Sequence, residues 1–162
     1  MVQRTDKKEI TIETAIESDY ETWGLLVAVN KLIGQARTLE LSRHGLTPQQ
    51  SQVLHILTNR GGSTTMKDIA DIALRRHNSV SVLIKRMELA GLVNRIKTDF
   101  SNQYQVTISE KGRRLVETMP TTSVEMILAS LSSEEKRALV TCLTKLDQKA
   151  RHILRLDYLP PF

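Results

Sequence analysis

Rings are scarce in this sequence: Phe, Trp and Tyr together make up 4% of its 162 residues. A core with so few aromatics must be aliphatic, and helices are the expected way to build it. Cysteine is almost missing as well. The single thiol, Cys142, excludes an internal disulfide and any zinc site built on cysteines. The four histidines, His44, His55, His77 and His152, form no ligand pair at helical spacing, so no metal is expected. No apolar run approaches the roughly 18 residues of a membrane span. The opening stretch MVQRTDKKEITIETAIES lacks the apolar segment of a secretion signal, so a cytoplasmic protein is expected. Glycine-rich phosphate loops and nucleophile-elbow patterns are also absent. The acids and histidines fall into no recognisable reaction geometry. The expectation is a protein that is not an enzyme and needs no cofactor.

What the chain does have is 40% apolar residues and an uneven charge distribution. The net charge is +5, and residues 60–114 hold eleven Lys and Arg against five Asp and Glu. The rest of the chain is close to neutral. A basic block confined to one third of the sequence, and strongly patterned, reads as a polyanion-binding module. The simpler reading is a solvated basic face.

Helix signals punctuate the chain. Ser18 or Asp19 can cap a helix over about 20–41. Leu25, Val29, Leu32, Ala36 and Leu39 form one stripe of it, with Trp23, Val27 and Gly34 largely off that stripe. Apolar residues on more than one side predict burial between two layers. In LTPQQSQVLHILTNRGG, Thr47, Pro48 and Gln50 make a capping box with proline at the first helical position. Val53, Leu54 and Leu57 are expected to face inward, and Gly61 with Gly62 ends the helix. Thr65 and Asp68 open the next short helix, where Ile69 and Ile72 are apolar and Ala70 allows close contact. LRRHNSVSVLIKRMELAGLV then carries an apolar row at Val80, Leu83, Ile84 and Met87, and Gly91 sits at a C′-like position. Two short helices with a tight turn suggest helix-turn-helix.

LVNRIK and YQVTI are strand-like, with Tyr104, Val106 and Ile108 alternating around the turn-rich TDFSNQ. A hairpin directly after the second helix turns the unit into a winged helix-turn-helix. Ser109 is expected to cap a long helix running to about residue 130, with Val116, Met119, Ser123, Met126 and Ile127 on one face and a kink at Pro120. Ser132 and Glu135 form another capping box. The last helix carries Leu139, Cys142, Leu143, Leu146, Ala150 and Ile153 at helical spacing. The expected fold is mainly α, in the α+β sense. Residues 1–44 form an arm and a first dimerisation helix, 45–110 the winged helix-turn-helix, and 111–162 the C-terminal dimerisation helices.

Four segments in this order, LTPQQSQVLHIL, IADIALRRHNSVSVLIKRMELAGLVNR, VTISEKGRRLVE and LSSEEKRALVTCLTKL, resemble the MarR family of bacterial transcription regulators. The resemblance spans roughly residues 20–156. It implies a homodimer that binds double-stranded DNA, in many members released by a small-molecule effector or by cysteine oxidation. It also implies an effector pocket between the first long helix and the winged-helix lobe, with Trp23, Val27 and His55 as candidate lining residues. The family's wing usually carries an acidic residue followed two places later by arginine. Here Asp99 matches, and Ser101 stands in the arginine's place.

A major groove about 12 Å wide admits one helix, and residues near its N-terminus reach base edges. Asn78, Ser79, Ser81, Val82, Lys85 and Arg86 lie opposite the apolar row and are the expected reading face. Asn78 suits adenine, and Val82 suits a thymine methyl. Arg75, Arg76 and His77 precede the helix and are expected at phosphates, with Arg95, Lys97 and Asn102 doing the same from the wing. Two other uses of the same fold stay open: a protein-interaction module, and a DNA binder without sequence preference. Cys142, on an apolar stripe, is read as a small hydrophobe before a redox sensor. His55 and Trp23 are read as structural residues before ligand contacts.

Overall fold

The structure is a computed structural model that describes residues 18–97 and 104–156. The chain divides into two compact units, Met1–Leu32 and Ile33–Phe162. Helix α1, Asp19–Ser42, begins in the first unit and ends in the second. Its start is fixed locally. The Glu21 backbone N–H donates to Ser18 Oγ (3.2 Å), while the Ser18 N–H donates to the Glu21 carboxylate (3.1 Å). Each group thus satisfies an orphan donor of the other.

The core belongs to the second unit. Helix α2, Pro48–Asn59, has the capping box that Thr47 and Gln50 predict, and it buries Val53, Leu54, Ile56 and Leu57. Strand β1, Ser63–Thr65, leads into α3, Met66–Ile72, whose N-cap is Thr65. Helix α4, His77–Leu89, buries Val80, Ile84 and Met87 against them. Gly91, at φ +73°, closes α4 in a Schellman arrangement. The Leu92 N–H reaches the Met87 carbonyl and the Gly91 N–H reaches that of Glu88, both at 2.9 Å. Strands β2, Val93–Lys97, and β3, Tyr104–Ile108, form the hairpin. The three strands are antiparallel in the order β1-β3-β2, with both Thr64 and Arg95 opposite Val106.

Helix α5, Glu110–Glu117, is capped by Ser109 and packs on α2 at Gly112. A Cβ there would stand 2.3 Å from the Leu92 carbonyl oxygen and 3.3 Å from Leu54 Cδ2. Only glycine lets the helix pass so close. Two further helices follow: α6, Thr122–Leu128, and α7, Ser133–Leu154, the latter with the Ser132–Glu135 capping box.

Several expectations need correction. The three-residue β1 is not visible in the pattern; it exists because β3 offers an edge to pair with. The helix expected from Ser109 to about residue 130 is two helices. Pro120 has no N–H to donate and its ring would clash with the carbonyl of Val116, so the chain breaks over residues 118–121. The break is anchored: the Arg37 guanidinium donates to the Pro120 carbonyl, and Ser51 Oγ donates to the buried Met119 sulfur (3.0 Å). Helix α1 is not buried between layers in the single chain. Leu25, Val29, Leu32 and Leu39 are exposed, and Leu41 is its one buried residue. The stripe on α7 is likewise open, with Leu139, Cys142, Leu143, Leu146 and Ile153 all exposed. His77 is the first residue of α4 rather than a residue preceding it.

Candidate nucleic-acid interface

Helices α3 and α4 meet through a tight turn in which Leu74 takes a left-handed conformation (φ +52°). The Arg75 N–H donates to the Ala70 carbonyl (2.9 Å), which closes the turn. Buried Ile69, Ala70 and Ile72 of α3 meet Val80, Ile84 and Met87 of α4 in one core, with Leu83 packed at its edge. This burial fixes which side of α4 faces out. Asn78, Ser79, Val82, Lys85 and Arg86 are exposed, and Ser81 is half-buried. Val82 is 52% exposed, an aliphatic side chain presented to solvent amid polar neighbours. The sequence therefore brought the reading-face residues together on one helix side.

The N-terminal end of α4 faces out as well. Its N-cap, Arg76, makes no side-chain capping hydrogen bond, so the positive end of the helix dipole is left for an anion. Arg75, Arg76 and His77 are exposed around that end. Helix α3 is held in place by Asp68, whose carboxylate accepts from Thr64 Oγ1 (2.9 Å) and whose N–H donates to Thr65 Oγ1 (3.0 Å). Burial pushes the Asp68 carboxyl up, but hydrogen bonds from Thr65 and Thr64 outweigh it and leave the group below its ordinary pKa.

On the hairpin, Lys97 is exposed near the tip. Arg95 is engaged elsewhere. Its Nε and Nη2 lie 2.7 and 2.6 Å from Glu88 Oε2, and its guanidinium stands 5.5 Å from the Tyr104 ring centroid. Asp99, Ser101 and Asn102 lie outside the described residues, so the wing-tip reading remains a sequence expectation.

The effector candidates fall in two places. Trp23 and Val27 are exposed on the first unit, where the Trp23 ring stacks at a tilt on Tyr20 with centroids 5.3 Å apart. His55 lines a cavity of about 630 Å³ in the second unit, with Arg37, Ser51, Thr121, Val124, Glu125, Leu128 and Lys136. Burial pulls the His55 pKa down from its ordinary value, and the nearby Arg37 cation adds to this. Arg37 also pairs with Glu40 (2.7 Å), and Glu40 accepts from the Ser123 N–H (3.0 Å) and from Ser123 Oγ. Those Ser123 bonds lead the shift of the Glu40 pKa down to about 2. Of this cavity the sequence reading named only His55. The i, i+3 spacing of Arg37 and Glu40 on one helix is one signal for the rest.

Among the described residues, no group of His, Cys, Asp and Glu is arranged to hold a metal ion, and no helix is long and apolar enough to cross a membrane. The helix-turn-helix with its hairpin defines a winged-helix protein. Residues 44–99 match the MarR family model. Solved structures extend the likeness to most of the chain. The organohalide-sensing transcriptional regulator RdhR-CbdbA1625, bound to 2,4-dichlorophenol, is 27% identical, with 91% of this chain and 89% of that one covered and a TM-score of 0.74. A MarR family protein from Bacillus stearothermophilus is 26% identical, with 81% and 94% covered and a TM-score of 0.66. MepR from S. aureus, solved with DNA, is 24% identical, with 83% and 99% covered and a TM-score of 0.71. No curated protein matches the chain.

Proposed function

We propose that the chain is a sequence-specific DNA-binding transcription regulator that acts as a homodimeric repressor. The observation that carries this reading is the outward face of α4: small and polar at its N-terminal end, basic further along, and flanked by Arg75 and Arg76. Small side chains let the helix approach base edges, and the flanking cations fix its register on phosphates. The MarR family match and the DNA-bound state of MepR support it. Two copies join through the exposed apolar residues of α1, α6 and α7, and residues 1–44 and 111–162 serve as dimerisation segments around the 45–110 winged helix. A two-fold protein then reads a pseudo-palindromic operator with half-sites roughly 34–36 Å apart. A small-molecule effector in the cavity lined by Arg37 and His55 releases the operator. The phenol bound by RdhR-CbdbA1625 supports a ligand of modest size there. The protein works in the cytoplasm without catalysis.

Selection of bound duplexes from a random DNA pool, followed by footprinting, tests this. A recovered inverted repeat protected over two successive turns is the expected result. Binding without sequence preference makes the chain a general DNA binder. No binding at low or moderate salt makes the winged helix a protein-interaction module.

A further inference from the structure

Arg95 belongs to the basic block, yet its charge is spent inside the molecule. Glu88, in the last turn of α4, grips it twice. One carboxylate oxygen takes Nε and Nη2 of the guanidinium, at 2.7 and 2.6 Å. The other takes the Arg95 backbone N–H, at 3.3 Å. Strand β2 lies at the edge of the sheet, so that N–H points away from β3 and would otherwise be an unpaired edge donor. The far face of the guanidinium lies over Tyr104, the first residue of β3. One side chain therefore ties three elements together: the end of α4, the edge strand and the returning strand of the hairpin. Both partners are partly shielded, with side chains 24% and 33% exposed, so water competes only in part for the pair. The Arg95 hydrogen bonds also draw the Glu88 carboxyl below its ordinary pKa.

We propose that Glu88 and Arg95 form a clamp that sets the direction of the wing relative to α4, and that Arg95 acts on DNA by positioning the wing rather than by contacting phosphate. This rests on the reading of the chain as a DNA-binding regulator. A wing that leaves its base in one direction reaches the groove beside the seated helix, whereas without the clamp the outer edge of β2 and the Tyr104 end of β3 lose their tie to α4. The clamp thereby makes Glu88, an acid beside a polyanion, a contributor to affinity. Its repulsion of phosphate is offset because its charge is already neutralised by Arg95.

The test uses the full chain with Glu88→Gln and Arg95→Gln, read in two ways. In the DNA-free protein, both variants should move the same backbone amide resonances of Ile96, Lys97 and Tyr104, since each breaks the same clamp. If either leaves those resonances at their wild-type positions, the clamp is refuted, whether or not the protein binds DNA. On the selected duplex, both variants should bind about tenfold more weakly, the scale of one hydrogen bond to a charged group, with the salt slope unchanged. A phosphate contact predicts the opposite pattern. Arg95→Gln would then flatten the salt slope by about one counterion, while Glu88→Gln, freeing the cation, would tighten binding. Wild-type protein that binds no duplex would sink the regulator reading, and the resonances would still decide the clamp.

Discussion

The two halves of the apolar inventory live in opposite surroundings. In the winged helix, Leu54, Leu57, Ile69, Ile84 and Met87 are almost wholly buried, and every helix that enters this lobe from α2 to α5 leaves one face in a common core. On α1 and α7 the same residue types stand in the open: Leu32, Leu39, Val140 and Leu146 are each at least half exposed. Both regions obey helical periodicity, so the pattern alone does not say what covers a stripe. The winged helix covers its own. The long helices leave theirs open in the single chain.

The sharpest way to break this contrast is to delete the same group in both settings. Ile84→Ala should lower the unfolding free energy by about 2–5 kcal/mol, through lost burial plus a cavity. Leu143→Ala should cost under about 0.5 kcal/mol in dilute, dissociated protein. Urea unfolding of each variant checks the pair, and equal losses would mean that α7 is buried in the single chain. Next in size, Gly112→Ala should cost about 1–3 kcal/mol, because the added methyl has no room beside the Leu92 carbonyl. The same substitution at Gly34, where a Cβ meets nothing within 4 Å, should be neutral or stabilising.

On the DNA side, Asn78→Ala should lose about 1–3 kcal/mol on the selected site and little on random DNA. Arg76→Ala should weaken all duplexes alike and lower the salt slope by about 1. Matching specificity profiles would undo this division of roles. The smallest effect concerns acid. Because the Glu40 pKa is depressed to about 2 from 4.5, its contribution to stability is fully present above 4.5 and is lost as the pH falls through about 2. Wild type should therefore exceed Glu40→Gln in urea midpoint at pH 7, and the gap should close as the solution is acidified.

Much of the fold could be read locally, and what escaped was long-range. The caps at Thr47, Thr65, Ser109 and Ser132 are each written within four residues, and the structure has them all. The apolar row of α4 and the alternation of β3 are equally local. Strand β1 has no local signal because three residues carry no alternation, and its pairing with β3 spans some forty residues, as in Ser63 with Thr107. The proline announces a kink at 120, but the anchor of the break, the Arg37 guanidinium on the Pro120 carbonyl, lies 83 residues away. In the candidate site, the face of α4 was legible because burial on one side dictates exposure on the other. The engagement of Arg95 was not, since a basic residue in a basic block looks free until a carboxylate is found beside it.

Helix α6 gives the chain a folding order. It has seven residues, and its N-cap Thr121 makes no side-chain capping hydrogen bond. A helix that short does not nucleate on its own in water. The carboxylate that receives its Ser123 N–H belongs to Glu40, so the cap arrives only when α1 has docked across 83 residues of chain. Closing so large a loop for so small an element places α6 among the late events of folding. Loosening it by Glu40→Gln should then leave the refolding rate untouched and speed unfolding, so that the helix acts as a latch on the finished protein rather than a seed for it.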